Sequence, residues 1–242
     1  MRVAVISDIH ANLHALEAVL AALEDEPHDA VWCLGDLVGY GPRPNECCAL
    51  VRDRADLCLV GNHDLVVLGS LSADDFNPEA AAAAQWTSAE LSADSRTLLS
   101  SLSPTAETEG VQLFHASARD PVWEYVLTFD SALASLELTT APLLLVGHSH
   151  VALALLLDEE GLSGGVAAAD DEADLSAGRW LLNPGAVGQP RDGDPRAAYL
   201  LLDLESRSAR FRRVPYSVEM TQEEMRERGL PETLAARLAF GQ

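Results

Sequence analysis

Asp8 and His10 are separated by one residue, and so are His148 and His150. Asp36 follows Gly35, the run Asn62-His63-Asp64 follows Gly61, and His115 ends the apolar stretch Val111-Gln112-Leu113-Phe114. Hard oxygen donors and imidazoles in these numbers suit two divalent cations better than one. A two-cation centre is a device for hydrolysing phosphate esters. On an extended segment residues i and i+2 point the same way, so each Asp-x-His or His-x-His pair is expected to reach one cavity. Asp36 stands alone, as a carboxylate bridging two ions would, while Asn62 offers a neutral carbonyl oxygen. Each signal has a plainer reading: a strand-end Asp is often a turn or helix cap, and a lone His is often a hydrogen-bonded structural residue. The ordered set is what points to metal.

Every one of these blocks lies at or just after a strand-like run. Strands are expected at residues 2–7, 30–34, 56–60, 111–114, 143–146, 151–157 and 179–182, and a closing hairpin at 197–204 and 209–214. Helices are expected at 12–24, from the apolar side Leu13, Leu16, Ala18, Leu20 and Leu23, and at 44–54 with Pro44 near its start. Asp8 and Asp36 are about one βαβ unit apart, so the first two strands read as parallel neighbours with adjacent C-terminal ends. Residues 65–103 read as helical, with Ser92-Ala93-Asp94 capping a helix to Leu102. The acidic, Gly/Ala-rich stretch 158–178 reads as a mobile excursion from a hairpin. Thr221-Gln222-Glu223-Glu224 reads as a capping box that opens a last helix.

Composition narrows the function classes. The chain has 242 residues, 48% hydrophobic, with a formal net charge of −22 and pI near 4.4. All 16 basic residues are Arg. So acidic a surface repels nucleic-acid backbones and anionic membranes, which argues against long nucleic acid or a membrane as partner. No apolar run is long enough to span a bilayer, and the N-terminus enters a strand directly, so a cytoplasmic location is expected. Cys33, Cys47, Cys48 and Cys58 lack metal or disulfide spacing and read as reduced thiols. No composition shift divides the chain, so residues 1–242 read as one domain.

The ordered series resembles the calcineurin-type metallophosphoesterase superfamily, whose pattern is Asp-x-His, Gly-Asp, Gly-Asn-His-(Asp/Glu), His and Gly-His-x-His. The stretches Ser7–Asn12, Gly35–Pro42 and Asn183–Arg191 resemble its small prokaryotic phosphodiesterase branch. That resemblance implies an α/β (α+β) fold, a four-layer αββα sandwich of two mixed β-sheets flanked by helices. It implies one metal held by Asp8, His10, Asp36 and His150, and another by Asp36, Asn62, His115 and His148. Manganese is favoured, with iron, zinc, nickel or cobalt as alternatives. His63 would protonate the leaving group or stabilise it, and Asp64 would orient the His63 imidazole.

Substrate contacts are read from side-chain chemistry. Arg191 and Arg119 are candidates for the phosphate, because a guanidinium binds phosphate oxygens bidentately; either could instead be a structural ion-pair partner. Asn12 caps the following helix or lines the pocket, and Tyr40, between glycines, stacks on a leaving group or packs its loop. The expected activity is metal-dependent hydrolysis of a small phosphate ester, a nucleotide among the candidates, with the lean toward diesters resting on the family branch. Hydrolysis of dinucleoside polyphosphates such as diadenosine tetraphosphate, or of phosphomonoesters, is the alternative. A non-catalytic scaffold on the same fold is disfavoured because no ligand and no acid-site His is missing. Oligomeric state is not written in the residues.

Overall fold

A computed structural model describes all residues 1–242. In chain order the elements are β1 (Arg2–Ile6), α1 (Leu13–Leu23), β2 (Ala30–Cys33), α2 (Pro44–Arg54), β3 (Leu57–Cys58) and α3 (Asn62–Val67). These are followed by α4 (Pro78–Glu90), α5 (Ala93–Ser100), β4 (Thr105–Thr108), β5 (Val111–Phe114), α6 (Phe129–Glu137) and β6 (Leu143–Val146). The last third comprises β7 (Ala152–Asp158), β8 (Gly161–Val166), β9 (Glu172–Asp174), β10 (Arg179–Pro184), β11 (Ala197–Asp203) and β12 (Ser208–Val214). The chain closes with α7 (Val218–Glu227), α8 (Glu232–Arg237) and a 3₁₀ turn at Leu238–Phe240.

The strands form two six-stranded sheets, β3-β2-β1-β11-β12-β9 and β4-β5-β6-β10-β7-β8. Each contains a parallel trio. In the first sheet β1 pairs with β2 at Val3↔Ala30 and β2 with β3 at Trp32↔Leu57. In the second β5 pairs with β6 at Val111↔Leu143 and β6 with β10 at Leu143↔Trp180. Parallel strands covered on both faces read as continuous apolar runs. On β1, Val3 and Val5 face the second sheet with Trp32, Leu113, Leu145 and Leu182. Ala4 and Ile6 face α1 and α2 with Leu16, Val19, Cys33 and Cys47. Beyond the second sheet, Leu144, Val146 and Leu181 pack on Ala132 and Leu136 of α6. The expected αββα sandwich is therefore the observed one.

Several local expectations need correction. The stretch 158–178 is ordered: β8 pairs with β7 from Leu153↔Val166 to Asp158↔Gly161, and β9 pairs with β12 at Ala209↔Ala173. It carries the chain from an edge of one sheet to an edge of the other, and its edge-strand partners are remote in sequence. Within residues 65–103 the helices are the end of α3, then α4 and α5, with Ser92 capping α5 as expected, while residues 68–77 are not helical. Strand β4 and helix α6 were not foreseen. Thr221 does not cap α7; it lies inside that helix, fully buried, with its Oγ1 donating to Asn12 Oδ1 at 3.0 Å. No helix is long and apolar enough to cross a membrane.

Candidate metal centre

The two parallel trios end at the same edge of the sandwich, as strand C-termini of α/β sheets do where they bind ligands. Asp8 and His10 follow β1, Asp36 follows β2, and Asn62 and His63 follow β3. His115 follows β5, and His148 and His150 follow β6. The extended alternation expected for Asp8/His10 and His148/His150 is not what brings them together. Asp8, His10, Asp36, His148 and His150 all have left-handed backbone, with φ between 49° and 62°. Such non-glycine conformations cost on the order of 1 kcal/mol or more each and cluster at functional sites. Gly61 is required by close approach, since a Cβ there would stand 2.1 Å from Asp36 Oδ1.

Two donor clusters share Asp36. Ligand atoms of Asp8, His10, Asp36 and His150 lie within 4.8 Å of one another, as do those of Asp36, His115 and His148. Asn62 Oδ1 joins the second at 3.2 Å from His115 Nε2. All of these residues are buried. His10, His115 and His150 each place Nδ1 against a backbone carbonyl, those of Val38 (3.1 Å), Leu34 (2.8 Å) and Gln189 (2.6 Å). A carbonyl only accepts, so each Nδ1 carries the proton and each Nε2 presents a lone pair inward. His148 is turned the other way, with Nε2 on the Trp123 carbonyl at 3.1 Å, which frees its Nδ1.

The resulting array has acceptors facing acceptors. His10 Nε2 is 3.0 Å from His150 Nε2 and 3.5 Å from Asp36 Oδ2; His115 Nε2 is 3.6 Å from the same oxygen. Asp36 Oδ2 is buried without any hydrogen-bond partner, while its Oδ1 accepts from the His63 backbone N–H. Donors about 2.1 Å from a shared cation stand roughly 3–3.5 Å apart, which is the spacing seen. The residues thus fit divalent cations, and the nitrogen-rich set disfavours calcium. Without a cation, burial pushes the Asp8 carboxyl up to about 7 and Asp36 well above the usual carboxylate range. Burial likewise holds His10, His148 and His150 well below the usual imidazole range.

The remaining predicted residues divide into those that reach the centre and those that do not. His63 is buried beside it, its ring 4.8 Å from His10, 4.3 Å from Tyr40 and stacked 4.4 Å from Phe76. Its Nδ1 has no hydrogen-bond partner. Asp64 therefore does not orient it. The Asp64 oxygens instead accept from Val38 N and Gly61 N, both at 3.0 Å, closing the turn into α3. Tyr40 is buried between His10 and His63, and its hydroxyl lies 3.4 Å from Arg191 Nη2. Arg191 is held by Gln189 Oε1 at 2.8 Å and has no carboxylate partner. Asn12 is committed to structure: Oδ1 caps α1 at Ala15 N, and Nδ2 donates to Gly188 O and Tyr216 Oη. Arg119 points away, pairing at the surface with Glu124.

Reasoning from sequence missed the supporting shell. Asn183 donates to Gly147 O and Ser149 Oγ and so fixes the turn that carries His148 and His150. The loop after it is tied back by Val187 N to Ser7 O and Gly188 N to Asp8 O. Phe76, Trp123 and Tyr125 pack on the site's histidines and on one another, and their only sequence signal is that three aromatics are rare company in a chain 5% aromatic.

Comparison with known proteins agrees with this geometry. Residues 1–207 match the calcineurin-like phosphoesterase superfamily domain. An uncharacterized protein of Methanocaldococcus jannaschii is 38% identical, over 99% of this chain and 98% of its own. The crystal structure of a metallophosphoesterase from Sphaerobacter thermophilus superposes with a TM-score of 0.91 at 44% identity, covering 100% of this chain and 99% of that one. A symmetrical bis(5'-nucleosyl)-tetraphosphatase of Yersinia enterocolitica is 41% identical, over only 26% of this chain and 23% of its own. On the family match, the whole-length relatives and the shared fold, this chain belongs to the calcineurin-like phosphoesterase superfamily.

Proposed function

We propose that this protein is a metal-dependent hydrolase of small soluble phosphate esters, with diesters preferred, acting in the cytoplasm as one unit over residues 1–242. Asp36 carries the reading: a buried carboxylate oxygen without a hydrogen-bond partner lies between two sets of inward lone pairs. Asp8, His10, Asp36 and His150 would hold one cation, and Asp36, Asn62, His115 and His148 the other. Divalent cations, Mn²⁺ first among them, supply Lewis acidity and lower the pKa of water at the site. The protein's own groups do the rest. Asp8 Oδ1 and Oδ2 accept the His148 N–H, at 3.2 and 3.1 Å, and lock the two sheets' ligands in register. Burial and the nearby Arg191 charge keep His63 well below the usual imidazole range, so it meets the ester as a neutral N–H donor. The negative charge of a bound phosphate raises its proton affinity, so an imidazolium formed by uptake of a solvent proton would be the form that protonates the departing oxygen. Arg191, braced by Gln189 and Tyr40, is placed to take a non-bridging phosphate oxygen.

A second reading, hydrolysis of dinucleoside polyphosphates, is favoured by the local match to the symmetrical tetraphosphatase. The deciding experiment compares initial rates on bis-p-nitrophenyl phosphate and p-nitrophenyl phosphate, using chelated protein reloaded with Mn²⁺ and Asp36→Asn as control. Faster diester turnover that vanishes in the variant is expected. Faster monoester turnover would recast the protein as a phosphatase, and silence on both with turnover of diadenosine tetraphosphate would favour the second reading.

A further inference from the structure

The chain has four Trp, four Tyr and five Phe, and Tyr40, Phe76, Trp123 and Tyr125 are gathered around the metal centre. Three of these are packed inward, Tyr40 against His10 and His63, and Phe76 between His63 and Trp123. Tyr125 differs. Its ring lies parallel to that of His148, with centroids 4.1 Å apart and planes 15° apart, yet the residue is 46% exposed. One face covers the imidazole, and close to half of the residue is exposed to solvent.

That orientation is imposed by its neighbours. Glu124 is tied by Ser117 Oγ and by the Arg119 guanidinium. Val126 is buried in the cluster beneath α6 with Ala132, Leu136 and Leu144. With Glu124 held by its partners and Val126 buried, Tyr125 between them stays largely exposed, and the Trp123 carbonyl on His148 Nε2 fixes where along the ring it lands. An exposed aromatic ring next to a charged centre is a stacking platform for a planar group.

We propose that Tyr125 is a specificity-determining residue whose exposed ring stacks on a planar aromatic group of the phosphate ester, a nucleobase. The inference rests on the phosphoesterase reading above and names its substrate class. The acidic balance of the chain argues for a single small nucleotide and against a polymer.

The test is calorimetric binding of adenosine 5'-monophosphate and of ribose 5-phosphate to Mn²⁺-loaded wild type, Tyr125→Phe and Tyr125→Ala, with metal content measured on each. Wild type and Tyr125→Phe are expected to bind the adenine compound about tenfold or more tightly than ribose 5-phosphate, the range that base stacking supplies. Tyr125→Ala is expected to lose that preference while its ribose 5-phosphate affinity stays unchanged. Equal affinities in wild type, no binding of either probe, or an equal loss for both in Tyr125→Ala would overturn the proposal. The last would mean that the ring only shields His148. An adenine preference in a protein that hydrolyses no ester would sink the phosphoesterase reading and leave the stacking site standing. Hydrolysis without the preference would do the reverse.

Discussion

His63 and Asp64 are neighbours in the chain whose side chains serve opposite ends of one turn. The imidazole of His63 faces the metal centre, while both Asp64 oxygens are taken by the backbone N–H groups of Val38 and Gly61. The two residues should separate cleanly on mutation. Asp64→Ala strands two buried donors and is expected to cost about 3 kcal/mol of stability, read as a lower denaturant midpoint. His63→Gln is expected to lower kcat on the order of 100-fold with a much smaller shift in that midpoint. Comparable stability losses in both variants would contradict the division.

Proton competition should govern cation binding. Burial, with the Asp36 charge adding to it, pushes Asp8 up to about 7 in the cation-free protein. A cation arriving below that pH must displace the proton, so Mn²⁺ affinity should fall about tenfold per pH unit below 7 from this group alone and level off above it. In cation-free protein the sign for stability runs the other way. A raised carboxyl pKa gives a contribution fully present below about pH 4 and lost as pH rises through 7. The lowered His10, His148 and His150 contribute above about pH 6.5 and lose that contribution as pH falls. Calorimetric Mn²⁺ titration at pH 6 and pH 8, in buffers of different ionisation enthalpy, should show more protons released at pH 6. An affinity without pH dependence would refute the assignment of Asp8.

Asn12 joins three elements: it caps α1, donates to Gly188 O and Tyr216 Oη, and accepts from Thr221 Oγ1. Asn12→Ala removes a helix cap and orphans buried partners, for a loss of about 2 kcal/mol or more. Its KM for a phosphate ester should stay at the wild-type value, because no Asn12 atom is free to meet substrate. A raised KM with unchanged thermal midpoint would restore it as a binding residue.

The two arginines singled out in the sequence should behave differently. Arg191 lies against Tyr40 and Gln189 without an acidic partner, and Arg191→Gln is expected to raise KM about tenfold through loss of a charge-assisted contact to phosphate. Arg119 pairs with Glu124 at the surface, and Arg119→Gln should leave KM for bis-p-nitrophenyl phosphate unchanged. Equal effects from the two would show that Arg119 swings inward during turnover.

Much of the molecule was legible in the chain because its signals are local. Val3–Ile6 and Leu143–Val146 are apolar at every position, which suits strands covered on both faces, and each ends at a ligand block. The parallel pairing of β1 with β2 followed from the length of their connection. What the chain could not display are contacts made by backbone across long separations. Asp64 meets Val38 26 residues away, and His150 meets the Gln189 carbonyl 39 residues away. No residue-type rule distinguishes a carboxylate that will face an imidazole from one that will cap a turn.

The sequence by itself determined the donor inventory and its order along the strands, because residue chemistry and hydrophobic period are properties of short segments; the two-sheet sandwich was implied by the family resemblance those motifs carry. Only the tertiary structure decided how those donors converge. The left-handed turns at Asp8, Asp36 and His148 and the carbonyls that set each imidazole tautomer exist only once two sheets are packed face to face. The same packing turned Arg119 outward, made strands of 161–166 and 172–174, and left Tyr125 close to half exposed beside His148. Each of these outcomes depends on which partner is within reach, and reach is set by the assembled fold.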